Sequence, residues 1–174
     1  MKATKKKNKI ILLPELLKGK SLRLKFSYFA LRNLIYYTDK GLRTQTKSNI
    51  ELRYNTIKAL MDNYFRCVDI YKTLNDSEIE ILKKCFSQKN QSIIPKNDYS
   101  LAVEKELTFK KFAFYCNCLL ELSFHINADY FNDKYIEDTV KEFSNKMLIK
   151  LNDNFIKFII NDVNETLELF SELD

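Results

Sequence analysis

Residues 48–71 read SNIELRYNTIKALMDNYFRCVDIY, and their reading decides the fold class. Ser48 followed by Glu51 is a capping box, in which the serine side chain accepts from the amide of Glu51 and the Glu51 side chain reaches back. From there Ile50, Tyr54, Ile57, Met61, Tyr64, Val68 and Tyr71 recur at alternating steps of four and three residues. That spacing places all seven on one side of an α-helix, as a seam that packs against a neighbour. Over about three heptads an ordinary bundle helix and a short coiled coil use the same stripe.

Toward the C-terminus the helical signals repeat. Asn75-Asp76-Ser77-Glu78 supplies a break and a fresh cap for a short amphipathic helix carrying Ile79, Leu82, Cys85 and Phe86. Residues 88–100 (QKNQSIIPKNDYS) are polar, hold Pro95 and show no period, so they read as the one long loop. Helix resumes near Thr108, and FAFYCNCLLEL at 112–122 is apolar nearly all round, the mark of a helix enclosed by others. Asn132-Asp133 caps a further stripe, Tyr135, Ile136, Val140, Phe143, Met147 and Leu151. Beyond Asn152-Asp153-Asn154 the stripe continues through Phe155, Ile159, Val163, Leu167 and Phe170, as a second helix or as one bent helix.

Toward the N-terminus, residues 21–39 place Leu22, Phe26, Phe29, Ala30, Leu34 and Tyr37 on one broad face, with Gly41 as the predicted stop. Pro14 suits the first turn of a short helix that Gly19 ends. Residues 1–13 form a basic arm (MKATKKKNK, five lysines and no acid) and a short apolar tether, and residues 14–174 a single domain. The sequence therefore predicts an all-α protein: a single irregular bundle of about five to seven helices with a flexible basic N-terminal arm. The helices at 49–74, 108–127 and 133–172 are expected to form its core.

Composition excludes several classes. Two glycines and two prolines in 174 residues leave no material for a turn-rich β fold, and none for the glycine-rich loops that cradle nucleotide phosphates. Apolar runs such as Ile10–Leu13 fall far short of the roughly 20 residues that span a bilayer, so integral membrane association is not expected. Those four apolar residues before Pro14 are also too few for a signal peptide, and Cys67, Cys85, Cys116 and Cys118 sit in helical segments rather than at disulfide-framework spacings. The expected location is a reducing cytoplasm.

No catalytic constellation emerges. The only histidine, His125, follows the apolar helix near its end, where a local role at the helix C-terminus is expected. Cys116 and Cys118, two residues apart, are rotated by about 200° on a helix and cannot clasp one ion. Acids such as Asp129, Asp133, Glu137, Asp138 and Glu142 read as a wet face. Neither a metal, a cofactor nor an enzymatic activity is expected.

Charge is the most informative functional signal. Residues 1–58 hold 15 lysines and arginines against Glu15, Asp39 and Glu51, a balance of +12, while the remainder holds 14 against 20, a balance of −6. Such polarity points to an anionic partner at the N-terminal end, nucleic acid first. On the helix at 21–39, Lys25, Tyr28, Arg32 and Tyr36 share a stripe roughly 80° wide, in which cations for phosphates alternate with rings that stack on bases. The expected nucleic-acid contacts are these four with Lys5, Lys6, Lys7 and Lys9 of the arm and Arg43, Lys47 and Arg53 beyond the helix. In the bland reading the tyrosines are core edges and Arg32 is their internal cation-π partner. A helix-turn-helix fits residues 29–54 poorly, because Leu42–Lys47 is longer than its usual turn.

The function expected from the sequence is non-enzymatic contact with a DNA or RNA backbone through the basic third. The alternative is a protein-interaction module, an adaptor or inhibitor using the apolar seam or the acidic C-terminal helix, or a homodimer pairing basic and acidic ends. Leu24, Leu31 and Ile35 discriminate the two. They lie opposite the main face of their helix: left exposed they favour a protein partner, and covered within the fold they favour the electrostatic reading.

Overall fold

A computed structural model describes residues 13–45, 50–87 and 108–172, with the side chains of 42–45, 50 and 109 left aside. The protein is all-α. Six helices are present among the described residues: α1 (Leu22–Gln45), α2 (Ile50–Tyr71), α3 (Asp76–Cys85), α4 (Phe109–Ser123), α5 (Asp133–Lys146) and α6 (Asp153–Glu172). A single 3₁₀ turn, Glu15–Leu17, precedes them. The predicted Ser48 cap, the arm through residue 12 and the loop at 88–100 fall outside the described residues.

Local chemistry sets the helix starts. Asn75 accepts from the amide of Glu78 at 2.8 Å while the Glu78 carboxylate accepts from the amide of Asn75 at 3.2 Å, a full capping box for α3. Thr108 caps α4 through the amide of Lys111, Asn132 caps α5 through that of Tyr135, and Asn152 accepts from Phe155 at the start of α6. The stretch at 133–172 is thus two helices, broken between Lys146 and Asp153.

Two helix ends use the left-handed region without glycine. Lys72 (φ 51°) follows α2 and Leu148 (φ 53°) follows α5. In each case the next amide reaches back five positions in Schellman fashion, Thr73 to the carbonyl of Val68 and Ile149 to that of Ser144. Gly19 adopts φ +71° and ends the 3₁₀ turn as expected. Gly41 does not end α1, which runs on to Gln45. Glycine costs a helix interior about 1 kcal/mol but keeps its N–H, so packing along the rest of a helix can carry it through.

The core differs from expectation in one respect. α1, not counted among the core helices, is the centre of the bundle and touches α2, α3, α4 and α6. Every residue from Leu24 to Ile35 is buried. One face gives Phe26, Phe29, Ala30 and Leu34 to a cluster with Phe112, Tyr115, Leu119, Ile136, Val140, Ile159 and Phe170 from α4, α5 and α6. The other gives Leu24, Tyr28, Leu31 and Ile35 to a second cluster with Leu17, Tyr64, Val68, Leu82 and Phe86. With apolar partners on both sides, the helix has no wet face in this stretch.

Candidate functional site

The cation and tyrosine stripe expected on α1 is not at the surface. Lys25, Tyr28 and Arg32 are buried, which withdraws them from any phosphate. The reason is the second apolar face: once Leu24, Leu31 and Ile35 are covered by α2 and α3, residues between the two faces are enclosed too. The two cations meet different surroundings inside. Lys25 donates through Nζ to the carbonyl of Phe170 at 3.0 Å, in the last turn of α6, where the helix dipole favours a cation. The Arg32 guanidinium lies 5.4 Å from the Phe29 ring and 5.9 Å from the Tyr28 ring, the internal cation-π arrangement of the bland reading. Burial lowers its pKa to about 10, against neighbouring Tyr28, Tyr115 and Cys116, which act to raise it.

Tyr36 is half-buried with its ring edge-on to Phe112 at 6.2 Å. Arg53 joins α2 to α1 by a bidentate contact, Nε at 3.1 Å and Nη2 at 2.7 Å from one Asp39 carboxylate oxygen. Lys5, Lys6, Lys7, Lys9 and Lys47, and the side chain of Arg43, lie outside the described residues. Of the predicted contacts whose side chains are described, Lys25, Tyr28 and Arg32 are enclosed, and Tyr36 and Arg53 are part-exposed but engaged with neighbouring helices.

Beside Arg32 the interior carries further polar chemistry. The Tyr115 hydroxyl donates to the buried Asp162 carboxylate, Thr166 donates to the Asp162 carbonyl at 2.7 Å, and the Cys116 thiol contacts the Asn33 carbonyl at 3.5 Å. This cluster ties α1, α4 and α6 and is sealed from solvent. Among the described residues no three His, Cys, Asp or Glu side chains gather as a metal site, and no helix is long and apolar enough to cross a membrane.

The surface feature that sequence reasoning missed is an aromatic cluster joining the ends of α2 and α4 to the start of α5. The Phe124 ring is stacked between Tyr64 (5.8 Å, 29°) and Tyr71 (4.8 Å, 17°), so the α2 seam runs outward from a buried tyrosine to an exposed one. His125 stands edge-on to Tyr71 at 5.6 Å and packs on Tyr135 at 5.6 Å. Its Nδ1 lies 2.7 Å from the Tyr130 hydroxyl, and Tyr130 packs on Tyr135 at 5.0 Å. One turn earlier on α4, a Glu121 carboxylate oxygen faces His125 Nε2 at 3.6 Å. In the tautomer this carboxylate favours, Nε2 carries the proton and Nδ1 accepts from the Tyr130 hydroxyl.

Tyr71 and Tyr130 keep about half their surface in water, 47% and 52%. Glu121 raises the Tyr71 phenol pKa, its negative charge adding to slight burial and the nearby Cys67, against the opposing Lys146. In the sequence the pieces of this site stood apart, Tyr71 at the end of the α2 seam, His125 at the end of the apolar helix and Tyr135 on the α5 stripe, with no period linking them and no signal at Tyr130. Comparison of the chain with protein-family models, with curated proteins and with solved structures finds no match.

Proposed function

We propose that this chain is a non-enzymatic protein-interaction module whose contact face is centred on Tyr71, His125 and Tyr130. The observation that carries the reading is the pair of half-exposed tyrosines on either side of His125, backed by Phe124 and Tyr135. Aromatic side chains held rigidly by neighbours bring large contact area at little cost in side-chain entropy, which is why they anchor interfaces. The apolar residues that first suggested such a face, Leu24, Leu31 and Ile35, are covered inside the fold, so the contact face is a different one. The test is a photo-crosslinking phenylalanine analogue at position 130, with one at exposed Asn161 on α6 as control, in cells where the protein is native. A discrete adduct from 130 that is missing from 161 supports the reading; equal adducts from both, or none, overturns it.

A second reading, contact with a nucleic-acid backbone, is favoured by the +12 balance of residues 1–58 and by the covering of the Leu24, Leu31 and Ile35 face. With the α1 stripe enclosed, this reading rests on the lysines at 5, 6, 7 and 9 with Arg43 and Lys47. Binding through them releases counterions, and log affinity falls with log salt at about −0.9 per phosphate on duplex DNA. Anisotropy titrations across a salt series, with the full chain and with those four lysines changed to glutamine, test it. A steep slope lost in the variant supports the reading; no binding near physiological salt removes it.

A further inference from the structure

We infer that the Tyr71, His125 and Tyr130 cluster is a receptor for a cationic side chain of the partner, an arginine guanidinium in particular, with Glu121 as its counter-charge. The inference rests on the interaction-module reading and gives that face its chemistry. Glu121 is part-exposed, and its carboxylate has no lysine or arginine partner among the described residues; its contact is His125 Nε2 at 3.6 Å. The lysines of α5 are already matched. Lys146, the cation whose field reaches Tyr71, is held by Glu142 at 3.1 Å with its ammonium 5.6 Å from the Phe143 ring. Elsewhere on α5, Lys134 pairs with Asp138 and Lys141 with Glu137. Lys72, exposed beside Tyr71, is the one further cation adjacent in sequence.

A carboxylate beside several electron-rich ring faces is chemistry for a cation. The ring quadrupole attracts positive charge over its face, and the carboxylate accepts its N–H donors. Guanidinium fits better than ammonium because it is planar, stacks on a tyrosine face and still offers a fork of donors to one carboxylate. The protein uses the same pairing internally, where Arg32 lies against Phe29 and Tyr28. Charge complementarity agrees: residues 108–172 hold seven lysines, no arginine and eleven acids, a balance of −4. An anionic partner is disfavoured on that side, whereas a basic segment is steered toward it.

The experiment uses the full chain with ¹³C-labelled tyrosine rings, titrated by NMR with an acetylated, amidated tri-arginine peptide and its tri-lysine and tri-citrulline counterparts. Tri-arginine is expected to move the Tyr71 and Tyr130 resonances ahead of the other tyrosines, with tri-lysine several-fold weaker and tri-citrulline inert. Glu121→Gln and Tyr71→Ala, both at part-exposed positions, are each expected to weaken tri-arginine binding about tenfold, the scale of one charge-assisted contact, with unchanged circular dichroism. Citrulline binding as well as arginine, shifts spread over all tyrosines, or full affinity in both variants would overturn the inference. A discrete crosslink from position 130 alongside inert peptides would retain the interaction face and reject its cationic occupant, so the two failures are distinguishable.

Discussion

Lys25 and Phe170 lie 145 positions apart, yet the Lys25 ammonium donates to the Phe170 carbonyl at 3.0 Å in the interior. One residue of α1 thereby satisfies a carbonyl in the last turn of α6 that the helix itself leaves open. Lys25→Met keeps the apolar stem and loses the donor, and is expected to cost about 1–3 kcal/mol in urea unfolding. Lys25→Glu places a buried negative charge against the negative end of α6 and is expected to cost at least about 3–5 kcal/mol or to prevent folding. Equal effects from the two would contradict the burial described.

Leu148 occupies a left-handed position at the end of α5 with 87% of its surface exposed. Its side chain contributes little packing, while its Cβ strains the backbone there. Leu148→Gly is therefore expected to raise stability by about 1 kcal/mol, read as a higher urea midpoint with an unchanged slope.

Alkaline pH is expected to destabilise the fold. Burial pushes the Tyr64 phenol from 10.0 up to about 12, and contacts with Ser27 and Ser123 only partly oppose it. Burial also pushes the Cys85 thiol from 9.0 up to about 11 and raises Cys116 and Cys118. For each, the folded state holds its proton more tightly than the unfolded chain. Their contribution is complete below the unfolded values and is lost progressively as pH rises above about 9, with the Cys85 and Tyr64 parts gone by about 12. Arg32 has the opposite sign, since its lowered pKa disfavours the folded state below about 10 and relaxes above it, so it offsets part of the loss. Urea midpoints should fall above about pH 9, and Tyr64→Phe should flatten the fall above about pH 10, removing up to about 2–3 kcal/mol of pH dependence.

Thiol chemistry separates the four cysteines. Cys67 and Cys85 are partly accessible, while Cys116 and Cys118 are buried in α4. A disulfide reagent at neutral pH is expected to modify Cys116 and Cys118 only at the rate of unfolding, because the reacting thiolate cannot form in the core. Fast modification of either in the native protein, followed by peptide mapping, would show that α4 is not enclosed.

The aromatic cluster was half legible in the sequence. Tyr71 ends a seam whose period is plain, and His125 was placed at the end of the core helix. Their meeting with Tyr130 depends on the turn between α4 and α5, whose course no periodic pattern records. The α1 stripe was legible as a pattern and misleading as a surface. Lysine and arginine at helical spacing signal solvent only while the rest of the helix has one apolar face, and α1 has two.

The sequence by itself determined that the chain is helical and where most helices lie: the caps at Asn75 and Asn132, the seam of α2 and the all-apolar run of α4 are local, and each rests on hydrogen bonds or spacings within a few residues, whereas the end of α1 past Gly41 and the break between α5 and α6 were left to the structure. Only the tertiary structure decided which helix stands in the middle. Burial is settled by what covers a face, and Leu24, Leu31 and Ile35 are covered by residues 29 to 62 positions away, Tyr64, Val68, Leu82 and Phe86 among them. That packing drew Lys25 and Arg32 inside, and left Tyr71 and Tyr130 in water.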